Sequence, residues 1–203
     1  MNYRGSAGYG YAFEKAGYRE WGGKMQDDVT DATRWAISQG IADPQRICIY
    51  GGSYGGYAAL EGAVKEPDLY KCAIGYVGVY DLRLMYSGAS DAMQNIYGRD
   101  YLKRVLGTDE TVLAQYSPIF QLNRLKAKVM LIVGGRDTRV PEVQGKNLHM
   151  ALLERHVPHE WLYKPDEWHG FYDESNIAEL FQKVDAFLDS TIGSGASGSA
   201  NTH

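Results

Sequence analysis

The stretch Ile47-Cys48-Ile49-Tyr50-Gly51-Gly52-Ser53-Tyr54-Gly55-Gly56-Tyr57-Ala58-Ala59-Leu60 decides how the rest of the chain is read. Its first four residues are β-branched, apolar or aromatic, the types a strand favours. The alanine-rich run 54–65 suits a helix and ends before Pro67. Only a tight turn separates the two, and it holds a serine among glycines. A serine at a strand-to-helix turn sits in a strained backbone conformation, and only small neighbours let the chain pass. The turn lifts the hydroxyl clear of the sheet, beside a helix N-terminus whose free amides and positive dipole end favour a developing anion. The pattern G-x-S-x-G alone arises by chance in roughly 5–10% of chains this long. The strand before it and the helix after it are what make Ser53 a candidate nucleophile and the Tyr54 amide its first oxyanion donor.

Working outward, strand-like runs recur at 72–77, 129–133 and 160–163. The runs at 47–50, 72–77 and 129–133 are almost continuously apolar, which predicts strands covered by helices on both faces. Amphipathic stretches lie between them. Val29, Ala32, Thr33, Ala36 and Ile37 recur at helical spacing, and Gly40 suits a C-terminal stop. Pro141 sits where a first-turn proline belongs, ahead of the stripe Leu148, Ala151 and Leu152. Ile177, Leu180, Phe181, Val184 and Leu188 mark a last helix. This alternation predicts an α/β fold with a mainly parallel sheet and helices on both faces. Residues 83–120, rich in tyrosine and with Met85 and Met93, read as a helical excursion above the sheet.

A hydroxyl nucleophile needs a base, and the base needs a partner that fixes its tautomer. In hydrolases of this layout the partners follow the serine in the order acid, then histidine. The strand 129–133 runs into Gly134-Gly135-Arg136-Asp137, and the strand 160–163 leads to Trp168-His169-Gly170-Phe171. Both loops lie at strand C-terminal ends, the edge where ligand and catalytic groups collect. Asp137 and His169 are therefore the expected acid and base. Asp81, also after a strand, is the alternative acid, while Asp166 and Asp173 could at most support the histidine loop. His149 falls inside a helix, and His156 and His159 fall on the opposite edge.

Composition bounds the alternatives. The chain has 203 residues with a net charge of -4, enough for one domain with a core and no reason to expect nucleic acid or an anionic membrane as partner. The cluster Arg124, Lys126 and Lys128 reads as a solvated face. No run reaches the ~18 apolar residues of a membrane span, and the first ten residues lack the apolar core of a signal peptide. Cys48 and Cys72 sit in apolar strands and are expected as buried free thiols, which fits a reducing, cytoplasmic setting. No metal-ligand spacing is present, and no metal or cofactor is expected. The domain is expected over 1–192, with 193–203, which includes His203, a flexible Gly/Ser-rich tail.

Several separate motifs resemble the catalytic domain of the prolyl oligopeptidase family of serine peptidases, especially its acylaminoacyl-peptidase and dipeptidyl-peptidase branches. They are Asn2-Tyr3-Arg4-Gly5-Ser6 with Gly8-Tyr9-Gly10, Trp21-Gly22, the serine turn, Gly134-Gly135-Arg136-Asp137 with Val140-Pro141, and Glu167-Trp168-His169-Gly170-Phe171. The resemblance implies an α/β-hydrolase fold and hydrolysis of short peptides through an acyl-enzyme. By position it implies an apolar pocket built from Tyr54, Val79, Leu82, Met85 and Val140. Against that family the chain reads as lacking the first strands of the sheet, the loop giving a second oxyanion donor and an N-terminal propeller. The strand 47–50 would then be an exposed edge able to pair with another copy. An esterase of the same fold, or an inactive fragment needing a missing segment or an oligomer partner, are the competing readings.

Overall fold

A computed structural model describes residues 1–194; the tail expected at 193–203 lies outside the described residues from 195 onward. Four strands, β1 (Cys48–Gly52), β2 (Cys72–Tyr76), β3 (Lys128–Gly134) and β4 (His159–Lys164), form one sheet in the order β1-β2-β3-β4. Every neighbouring pair is parallel. All four strand C-termini therefore meet at one edge, and the loops after them are brought together there.

The helices are α1 (Tyr11–Lys15), α2 (Lys24–Ser38), α3 (Tyr54–Lys65), α4 (Ile96–Val105), α5 (Glu110–Gln115), α6 (Val143–Glu154) and α7 (Glu174–Ile192). The period-2 alternation of the strands divides the core in two. Ala73, Val129 and Leu131 face Ala59, Leu60 and Ala63 of α3 and Leu148 and Leu152 of α6. Cys72, Ile74, Met130 and Ile132 face Leu180, Val184 and Phe187 of α7. Helices thus cover both faces, as the apolar strands required. β2 and β3 are almost wholly buried, whereas β1 stands at an edge with Tyr50 exposed.

The segment after β2 is the expected helical excursion. It runs through 3₁₀ turns at Leu82–Tyr86 and Asp91–Gln94 into α4 and α5. Met85, Leu102, Val105, Leu106 and Leu113 pack with Tyr57, Val79 and Val140 into a third cluster. That cluster roofs the C-terminal edge of the sheet.

Two expectations are corrected. Cys48 and Cys72 are joined in a disulfide and are not free thiols. The physical reason is register: Cys48 lies directly opposite Cys72 across the β1–β2 pair, with Cα atoms 4.6 Å apart, inside the range a disulfide spans. A separation of 24 residues carries no sign of that pairing. With the thiols bridged, the argument for a reducing, cytoplasmic setting loses its basis. Pro141 lies just before α6, which begins at Val143; its carbonyl accepts from the Gln144 amide at 2.9 Å. No helix among the described residues is long and apolar enough to cross a membrane.

Candidate active site

Ser53 has φ +58° and ψ −119°, a conformation a side-chain-bearing residue adopts only under constraint. The constraints are visible. Its amide donates to Tyr76 O at 2.9 Å, and its carbonyl accepts from the Tyr57 amide at 3.1 Å as α3 begins. Gly51 is required because β1 crosses so close under the helix start that a Cβ there would lie 2.4 Å from the Gly55 backbone. The Tyr54 amide, first in α3, is one of the N–H groups that a helix start leaves without an intrahelical partner. It stands next to the serine, where the sequence places the oxyanion donor.

His169 Nε2 lies 2.9 Å from Ser53 Oγ, and His169 Nδ1 lies 2.8 Å from Asp137 Oδ2. A carboxylate only accepts, so Nδ1 carries the proton and donates to Asp137. The lone pair of Nε2 then faces the serine hydroxyl, which donates to it. The Asp137 side chain is 1% exposed and its other oxygen, Oδ1, accepts the amides of Arg139 and Val140 at 2.9 Å each. Residues 116 and 32 positions apart in sequence are thereby brought into one hydrogen-bonded row.

The histidine loop is fixed from below and behind. The Arg136 amide donates to Glu167 O at 2.8 Å, and Gly134 packs so tightly that a Cβ would lie 2.3 Å from Trp168 O. The buried Glu167 carboxylate accepts from the amides of Tyr172 and Asp173 and from Asn176 Nδ2. Burial alone would raise the Glu167 carboxyl, but the bonds from Asn176, Tyr172 and Asp173 outweigh it and hold it below the usual carboxylate range. The Tyr76 hydroxyl accepts the Phe171 amide, and the two rings pack edge to face with centroids 5.4 Å apart.

The other candidates are placed apart. Asp81 caps the turn that follows it and pairs with Arg83 at 2.8 Å, not with His169. Asp166 pairs with Arg136, and Asp173 caps α7. His149 and His159 contact each other at 2.7 Å on the α6–β4 face.

A cavity of about 490 Å³ opens beside Ser53. Tyr54, Val79, Met85 and Val140 line it as expected. Leu82 does not; it is 2% exposed and packs behind the wall in the roof cluster, with its amide bonded to Ser117 Oγ at 2.8 Å. The excursion starts with a 3₁₀ turn at Leu82, which turns that side chain inward. Sequence reading missed Trp21, Tyr101, Leu102 and Asn95 as lining residues. Trp21 stacks edge-on against Tyr54 at 4.5 Å, and the Trp21-Gly22 motif was the available signal. Tyr54 is held between Tyr3, Trp21 and Tyr57, and burial raises its hydroxyl well above the usual phenol range. No group of three or more metal-ligating side chains stands together among the described residues.

Comparison with known proteins identifies the family and the fold. Residues 1–195 match the Prolyl oligopeptidase family, and the chain belongs to it. It is 32% identical over 198 residues to dipeptidyl aminopeptidase BIII of Pseudoxanthomonas mexicana, covering 95% of this chain and 28% of that protein. It is 31% identical over 190 residues to an acylamino-acid-releasing enzyme of Arabidopsis thaliana, covering 91% of this chain and 25% of that protein. Among solved structures, a puromycin-hydrolyzing peptidase of Mycobacterium tuberculosis superposes with a TM-score of 0.86 at 31% identity, covering 95% of this chain and 29% of that one. The fold is the α/β-hydrolase fold of serine peptidases. The chain spans under a third of the length of these relatives.

Proposed function

We propose that this chain carries the catalytic centre of a serine peptidase that cleaves short peptides through an acyl-enzyme. The observation that supports it most is the row Ser53–His169–Asp137 at the mouth of an apolar cavity. Ser53 Oγ attacks the scissile carbonyl carbon while His169 Nε2 takes the hydroxyl proton. The carbonyl oxygen becomes an oxyanion facing the Tyr54 amide at the positive end of α3. Collapse breaks the C–N bond, and the proton on Nε2 passes to the leaving amine. Water, deprotonated by the same histidine, then releases the acyl group and restores Ser53. Asp137 keeps Nδ1 protonated throughout and stabilises the imidazolium.

The cavity supports an apolar or aromatic residue before the cut, since Tyr54, Val79, Met85 and Val140 meet whatever side chain enters. The relatives' names, a dipeptidyl aminopeptidase and an acylamino-acid-releasing enzyme, support short peptides as the substrate class. The test has two parts. A fluorophosphonate should label Ser53 and fail to label Ser53→Ala. Fluorogenic dipeptidyl and acyl-aminoacyl amides should be turned over faster, relative to matched esters, than by an esterase. Labelling absent from folded protein would defeat the catalytic assignment; ester turnover without amide turnover would favour the esterase.

A further inference from the structure

A second cavity, of about 360 Å³, adjoins the one beside Ser53: Trp21, Tyr54 and Tyr101 line both. Tyr3 and Tyr18 add two more rings to its wall. Tyr54 ties the wall together, with its ring centroid 5.3 Å from that of Tyr3 and 4.5 Å from that of Trp21. Among these rings stands one carboxylate, Glu14 of α1. No lysine, arginine or histidine lines the cavity among the described residues.

Packing accounts for the rings, since Tyr18, Trp21 and Tyr54 lie against the roof cluster. It does not account for Glu14. That residue is half-buried. Its carboxylate accepts a long bond from the Tyr18 hydroxyl at 3.4 Å and forms no ion pair among the described residues. A carboxylate drawn out of water without a counter-charge is destabilising where a neutral side chain would not be. Aromatic rings and a carboxylate together are the chemistry that binds a cation. One of these rings already takes one: the Arg104 guanidinium stands over Tyr18, 5.8 Å from its centroid, outside the cavity lining. The size of the cavity favours a cation on a stem. The rings would cover the methylenes of a lysine or arginine while Glu14 meets the head. A main-chain ammonium has no stem to fill that space.

Resting on the peptidase reading above, we propose that this second cavity is a subsite for a basic side chain, lysine or arginine. The side chain belongs to the peptide residue next to the one held beside Ser53, and Glu14 selects its charge.

The experiment uses three covalent probes on the full chain, all diphenyl phosphonates with phenylalanine next to phosphorus. The residue before it is lysine or norleucine with the main-chain amine acetylated, or norleucine with that amine free. In each, the Ser53 Oγ–P bond forms, a P–O bond breaks, and the serine proton passes through His169 to the departing phenoxide. The lysine probe should label Ser53 about tenfold faster than acetylated norleucine. Glu14→Gln should bring the two rates to within about twofold, with Glu14→Asp recovering part of the difference. Asp68→Ala, which breaks an exposed ion pair with Lys126 away from both cavities, should leave the ratio at the wild-type value. Equal rates for the two acetylated probes, or a lysine advantage that survives Glu14→Gln, would overturn the proposal. So would an advantage confined to the free amine. A small alkyl fluorophosphonate that never labels Ser53 would instead remove the peptidase reading, and this inference with it.

Discussion

Asp137 divides its oxygens between two tasks: Oδ2 faces His169 Nδ1 at 2.8 Å, while Oδ1 caps the turn that carries Arg139 and Val140. The acid is therefore held by its own loop before it orients the histidine.

Asp137→Asn separates those tasks. The amide oxygen can still cap the turn, leaving an NH₂ opposite Nδ1, which then must accept and carries no proton. Nε2 becomes protonated and useless as a base toward Ser53. Labelling by a fluorophosphonate should fall on the order of 10³–10⁴-fold with the circular dichroism spectrum unchanged. A loss under tenfold would show that another group orients His169.

Glu167 holds the histidine loop through three donors and lies 3% exposed. Glu167→Ala leaves those donors unpaired inside the protein, which costs about 2 kcal/mol or more. It also frees His169 to leave the 2.9 Å contact with Ser53. Labelling should slow about tenfold, and more than the melting shift alone accounts for. Melting curves and labelling rates measured on the same samples check this.

The Cys48–Cys72 bridge closes a loop that contains Ser53 and all of α3. Constraining the unfolded chain over a loop of that length is worth about 3 kcal/mol. Reduction should lower the melting temperature on the order of 10 °C. Iodoacetamide should add no mass to the denatured chain before reduction and two adducts afterwards. Adducts formed without reductant would show free thiols.

How much of this was legible in the sequence follows from which distances are local. The serine turn was readable because strand, turn and helix are contiguous, and Gly51 records a close approach only four residues away. Asp137 and His169 were readable because a parallel sheet sends every strand end to one edge, so topology replaces measurement. Register was not readable: nothing in either strand says that Cys48 faces Cys72 and not a neighbour. Leu82 was misplaced for a related reason, since the 3₁₀ turn that begins at it directs its side chain into the roof cluster and not into the cavity. Glu167 and Asn176 belong to different elements, and their contact with the loop appears only after α7 folds back.

Glu61 gives the site a pH-dependent foundation. It lies in α3, two turns beyond Ser53, 2% exposed, with both oxygens accepting from Gln121 Nε2 at 3.0 and 3.1 Å. Burial raises its carboxyl to about 7, against weaker opposing effects of Gln121, Lys65 and Arg124. A carboxyl raised in the folded state is held by the fold in its neutral form. Its contribution is fully present below the unfolded value near 4.5 and is lost as pH rises through about 7. The chain should therefore lose stability between pH 5 and 8, by an amount on the order of 2–3 kcal/mol from this group. Glu61→Gln keeps the shape and the bond to Gln121 but cannot ionise. Its melting temperature should match the wild type at pH 5 and exceed it at pH 8. Parallel pH dependence in the two proteins would place the loss elsewhere, since the substitution removes the only proton α3 can release from that position.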